Sequence, residues 1–309
     1  MRRIVLQSVL VCAALAQACA FAAESGEFSF AVISHPHKPS SDDAELRNAI
    51  ESTDAENLAF VVANGIKAVD EPCTDTVYGQ KKSLLQTAKN GLIVSLAASD
   101  WAECKNENGR SVANGKLNRL RDLFFSDEFS IGESRIPVIR QSTTAKFRNF
   151  PENARWEIGG IMFATLNLPA NNNHYVFDAG RNGEFEDRLV ANRDWLQRIF
   201  MHAARDELNG IVLFCDGNPL AKPGVSGRKR DGFAEMRRQI SSLAAQFTGK
   251  VLIIHGAAAA PSPSRRINWQ GKLGELATGQ GWVKLSVNQS DPSLFSVAVE
   301  PAQARNNHH

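Results

Sequence analysis

The chain has almost no excess charge, few cysteines, and only one long apolar run. Its 309 residues carry 35 Lys and Arg against 33 Asp and Glu. Two of the basic residues, Arg2 and Arg3, open the apolar stretch Ile4 to Ala18. That stretch ends in Ala20-Phe21-Ala22, the small-x-small pattern that precedes a signal-peptidase cut. The expectation is a signal peptide over residues 1–23 and an exported chain, periplasmic or secreted. Ala16-Gln17-Ala18 before Cys19 is a poor lipoprotein site. Without Arg2 and Arg3 the charges balance, 33 against 33. Such a surface argues against nucleic-acid or anionic-membrane binding. Past residue 23 no segment approaches the ~20 apolar residues of a spanning helix. The sequence also lacks internal repeats and low-complexity linkers, so one domain over 24–302 is expected, with a disordered tail over 303–309.

Cleavage would leave Cys73, Cys104 and Cys215. Cys73 and Cys104 lie in polar segments just after expected strands, and Cys215 ends an apolar run. An oxidising compartment pairs Cys73 with Cys104; a reducing one leaves three thiols.

What is present is alternation. Apolar runs at Phe28 to Ser34, Leu58 to Ala63, Leu92 to Ala97, Gly160 to Leu168, Ile211 to Cys215 and Val251 to His255 read as strands. Between them, Asp42 to Glu51, Thr76 to Lys89, Lys116 to Phe125, Phe185 to Glu207 and Phe233 to Phe247 read as helices, the first capped by Ser40 or Ser41. Gly132 to Ala154 reads as polar and irregular, and the end as a hairpin of Trp282 to Val287 with Phe295 to Glu300. Periodicity gives an α/β fold and nothing finer.

Polar residues cluster just after these strands, where α/β sheets present chemistry. The places are Ser34-His35-Pro36-His37, Ala63-Asn64-Gly65-Ile66-Lys67, Ala97-Ala98-Ser99-Asp100-Trp101, Cys215-Asp216-Gly217-Asn218-Pro219 and His255-Gly256 followed by Ala257 to Ala260. In this order, with Glu71-Pro72-Cys73-Thr74-Asp75, Asn171-Asn172-Asn173 and Ala191-Asn192-Arg193-Asp194-Trp195, the chain resembles the calcineurin-like metallophosphoesterases, an exported bacterial branch most of all. The resemblance implies a four-layer α/β/β/α sandwich of two mixed sheets flanked by helices. It also implies a site where two metal ions activate water against a phosphate ester.

Residue by residue the chain departs from that pattern. The first-motif Asp aligns with His35, while His37 keeps its place. The bridging Asp aligns with Ile66, the Asn ligand with Ala98 and the catalytic His with Ser99. Asp100 remains as the residue that orients that His, and Asp216 falls near a later ligand. Ala257 and Ala259 stand at the last ligand positions. Alanine and isoleucine offer a cation nothing, and two ions need several anionic or imidazole donors each. The expectation is a pseudoenzyme without a cofactor, binding a protein or a small anionic ligand. The alternative is a single-metal phosphoesterase holding zinc or manganese at His35, His37, Asp216 and His255.

Ser99 lacks a Gly-x-Ser-x-Gly elbow, so serine hydrolysis is disfavoured, and Asp100 reads as an acceptor for loop amides. Asn171, Asn172 and Asn173 read either as ligand-lining residues or as a polar turn. Gly227-Arg228-Lys229-Arg230, with Lys222, Arg237 and Arg238, reads as a solvated basic face.

Overall fold

The computed structural model describes residues 26–34, 43–176, 180, 182–221, 230–256 and 265–298. Its strands form two mixed sheets. The first has five strands in the order β12-β11-β1-β2-β3: Phe295–Val297, Gly281–Asn288, Glu27–Ser34, Val61–Asn64 and Leu92–Ser95. The second has seven in the order β4-β5-β6-β7-β8-β10-β9: Ile139–Arg140, Ala154–Ile158, Ile161–Thr165, Gly210–Cys215, Lys250–His255, Leu273–Ala277 and Asn268–Gln270. Within them β1, β2 and β3 are parallel, as are β6, β7, β8 and β10.

The central strands of each sheet are buried on both faces, which is why they read as continuous apolar runs. Alternate residues of β1 separate cleanly. Ala31 and Ile33 face α1 (Ala44–Asp54), α2 (Asp75–Leu85) and α3 (Ala113–Phe124), while Phe30 and Val32 face the second sheet. Between the sheets Phe163 lies at the centre of an aromatic cluster, 4.8 Å from Phe60, 5.3 Å from Phe30 and 5.7 Å from Trp156. On the far face of the second sheet, α4 (Gly183–Arg205) and α5 (Ala234–Gln246) bury Trp195, Leu196, Ile199, Met236 and Ile240 against Ile211, Leu213 and Ile253. The layers are therefore α/β/β/α.

Local chemistry sets the helix ends. Thr74 caps α2, its hydroxyl accepting from the Val77 amide at 3.3 Å, with Asp75 in the first turn. The first helix starts later than expected, at Ala44, behind Asp43 in a left-handed conformation (φ 57°). Asp43 and not Ser40 or Ser41 is its N-cap; both serines lie outside the described residues. Cys73 and Cys104 form a disulfide that ties the loop after β2 to the loop after β3. Cys215 is a buried free thiol. No helix among the described residues is long and apolar enough to cross a membrane.

Candidate functional site

The ends of β2 and β3 meet the ends of β7 and β8 across the sandwich. Asn64, the last residue of β2, donates from Nδ2 to the carbonyl of Cys215 in the opposite sheet at 2.9 Å. Gly65 follows at φ 89°, a conformation only glycine adopts cheaply, and turns the chain away.

Two buried aspartates organise the loops that leave these strands. Asp100 stands on a single 3₁₀ turn, Ala98–Asp100, and is fully buried. Its Oδ1 accepts from the amides of Ile66 (3.2 Å) and Lys67 (3.3 Å), and its Oδ2 from that of Ala97 (2.7 Å). The Tyr78 hydroxyl donates to its carbonyl at 2.7 Å. Burial pushes the Asp100 carboxyl up to about 7, against the pull of these amides and of Lys67. Asp216, just after β7, accepts at Oδ2 from Ala98 of the first sheet's loop (2.7 Å) and from Ala170 of the second's (2.8 Å). Burial raises it to about 6, with the Ala170 and Ala98 amides and His255 opposing.

Ile66 points into the core beneath α1 to α3, fully buried. Ala98 and Ser99 are buried beside it on the loop. Next to them is a residue that sequence reasoning gave no role. Lys67 is only 1% exposed, and Nζ spends its protons on the carbonyls of Ala68 (3.0 Å), Val69 (3.5 Å) and Glu71 (2.8 Å). Burial lowers its pKa, while Asp100, Glu71 and Glu103 pull it back up. A lysine in a loop reads as solvated, so nothing in the sequence announced this.

His255, the last residue of β8, is 1% exposed, and its Nε2 lies 3.3 Å from Glu275 Oε1. Glu275 also accepts from Asn218 Nδ2 at 2.7 Å, and its bond to His255 holds its carboxyl below the usual range. His35, His37, Ala257 and Ala259 lie outside the described residues, as do Lys222, Arg228 and Lys229 of the basic run. Of the four residues proposed for a single metal, the structure thus places Asp216 and His255. Among the described residues no group of three or more His, Cys, Asp and Glu side chains converges closely enough to hold a metal ion.

The asparagine run is a strained turn. Asn172, Asn173 and His174 all have φ near 55° in the left-handed region. Asn171 Oδ1 accepts from the His174 amide at 3.2 Å. Asn172 pairs with the backbone of Arg230 and Gly232, and Asn173 Nδ2 donates to Gly232 O at 3.0 Å. Arg188, fully buried, donates to Asn173 at both Oδ1 and the carbonyl, to Asn167 O and to Glu184. This anchor had a readable signal. Arg188 and Asn192 stand four apart on the buried face of α4, where apolar residues are the rule. His174 faces a cleft of about 1060 Å³ together with Arg110, Asn114 and Glu184. Burial lowers its imidazole pKa.

No protein-family model and no curated protein matches the chain. Solved structures similar to it include two that cover most of the chain. One is TT1561 of Thermus thermophilus, with a TM-score of 0.45, 9% identity and coverage of 88% of this chain and 98% of that one. The other is described as a novel phosphatase, from Mycoplasma pneumoniae, with a TM-score of 0.42, 8% identity and coverage of 89% and 95%.

Proposed function

We propose that this is an exported, catalytically inactive relative of the calcineurin-like metallophosphoesterases that serves by binding a protein or a small anionic ligand. One observation carries the reading. The strand-end carboxylates that remain brace backbone: both oxygens of Asp100 accept from amides, three in all, and Oδ2 of Asp216 accepts from two. The position that aligns with the bridging ligand, Ile66, packs in the helix-side core. A two-metal centre needs an anionic oxygen at the bridging position and several anionic or imidazole donors around each ion to hold phosphoryl oxygens and acidify a water. The described residues do not fit that group.

Metal analysis of the purified protein, with hydrolysis of an aryl phosphate in added manganese or zinc, tests this. The expected result is metal well below one equivalent and no turnover above the protein-free rate. Stoichiometric metal, with turnover lost in His37→Ala, would overturn the reading in favour of a single-metal phosphoesterase using His35, His37, Asp216 and His255.

A further inference from the structure

Three polar side chains stand abreast where the two sheets meet. Ser34, Asn64 and Ser95 are register partners on β1, β2 and β3. Two residues earlier on the same strands, Val32, Val62 and Ile93 pack between the sheets. By alternation Ser34, Asn64 and Ser95 face the same way. Their exposures are 0%, 1% and 2%, and Ser34 Oγ, Asn64 Oδ1 and Ser95 Oγ have no hydrogen-bond partner among the described residues. The bond from Asn64 Nδ2 to Cys215 O fixes the amide, so Oδ1 has a set orientation. Gly256 packs close on the Nδ2 side of that amide: a Cβ there would come within 3.1 Å of Asn64 Nδ2 and 3.4 Å of Asp216 Oδ1.

We propose that this junction is a buried hydration site, where two ordered water molecules are shared by Ser34, Asn64 and Ser95. The spacing suits them. Neighbouring strands lie about 4.8 Å apart, too far for in-register oxygens held at strand spacing to bond directly. A water about 2.8 Å from each spans the interval. One water lies between Ser34 and Asn64 and the other between Asn64 and Ser95. The amide oxygen has two lone pairs and accepts from both. Each hydroxyl donates to or accepts from its own water. Buried waters with two to four polar partners are structural components, and unpaired buried oxygens are what they satisfy. A divalent cation is the poorer occupant, because the row offers three neutral oxygens and no anionic or imidazole donor. The site is independent of whether the strand-end loops turn over a phosphate ester.

A crystal structure of the full chain, grown with a chelator and refined at a resolution that shows ordered water, tests this directly. Two peaks are expected, each about 2.7–3.2 Å from a serine Oγ and from Asn64 Oδ1. An empty gap overturns the proposal. So do side chains turned onto one another, or a peak with oxygens at about 2.0–2.4 Å, which marks a metal. Stability gives a second readout. Ser34→Ala and Ser95→Ala each remove an anchor and should lower Tm by about 2–4 °C. A dry row predicts the opposite, since deleting an unpaired buried hydroxyl leaves Tm unchanged or raises it. If a variant does not fold, the wild-type density decides alone.

Discussion

A carboxylate that collects three backbone amides is a structural element in its own right, and Asp100 is the clearest example here. Asp100→Ala would strand three donors in a buried loop. The expected cost is about 3 kcal/mol, read as a lowered urea midpoint with an unchanged slope. The same residue sets a pH dependence. Its folded pKa is about 7 and that of Asp216 about 6, both above the ordinary value of 3.8. Between about pH 4 and 7 the folded chain therefore holds protons that the unfolded chain has released. This contribution to stability is complete below about pH 4 and is lost as pH rises through 6 and 7. Melting temperature should be higher at pH 5 than at pH 8, and Asp100→Asn should remove the part of that difference that falls near pH 7. At this scale the sequence was partly legible. Asp100 could be read as an amide acceptor because a polar residue just after a strand has loop amides to satisfy. Lys67 and Asn64 could not, because their roles depend on which carbonyls the folded loop and the opposite sheet bring within reach.

Among the elements, the loops after β2 and β3 are held twice, by Asp100 and by the Cys73–Cys104 disulfide. The bond closes a loop with a sequence separation of 31. In the chain-entropy model, removing it with Cys73→Ala/Cys104→Ala costs about 3–4 kcal/mol. Urea unfolding of the double variant against the oxidised wild type measures this, and added reductant should bring the two curves together. The elements themselves were unequally readable. The central strands carry uninterrupted apolar residues and showed plainly. β5 did not, because Arg155 and Glu157 interrupt it beside a segment that reads as irregular. Nor did β10, whose Leu-Gly-Glu-Leu-Ala has no β-branched residue and is held in the sheet by pairing with β8.

For the whole molecule, stability rests on the layer between the sheets. Phe163 packs against Phe30, Phe60, Trp156, Phe28 and Phe214. Phe163→Ala should cost about 3–5 kcal/mol, far more than truncating an exposed side chain such as Val190. Calorimetry of the two variants side by side makes the comparison. Layer order was not contained in periodicity, which is the same for any α/β protein. It entered through the resemblance carried by the ordered strand-end motifs.

The first strand has the last long one as a neighbour: β1 pairs with β11 from Glu27 opposite Asn288 to Ser34 opposite Gly281. A chain emerging from the ribosome therefore holds β1 with one bare edge until Gly281–Asn288 has been made. Completion of the five-stranded sheet waits on closure over a very long stretch of chain, which is slow. A polypeptide stopped at residue 280 should expose that edge and aggregate, whereas one stopped at residue 298 should not.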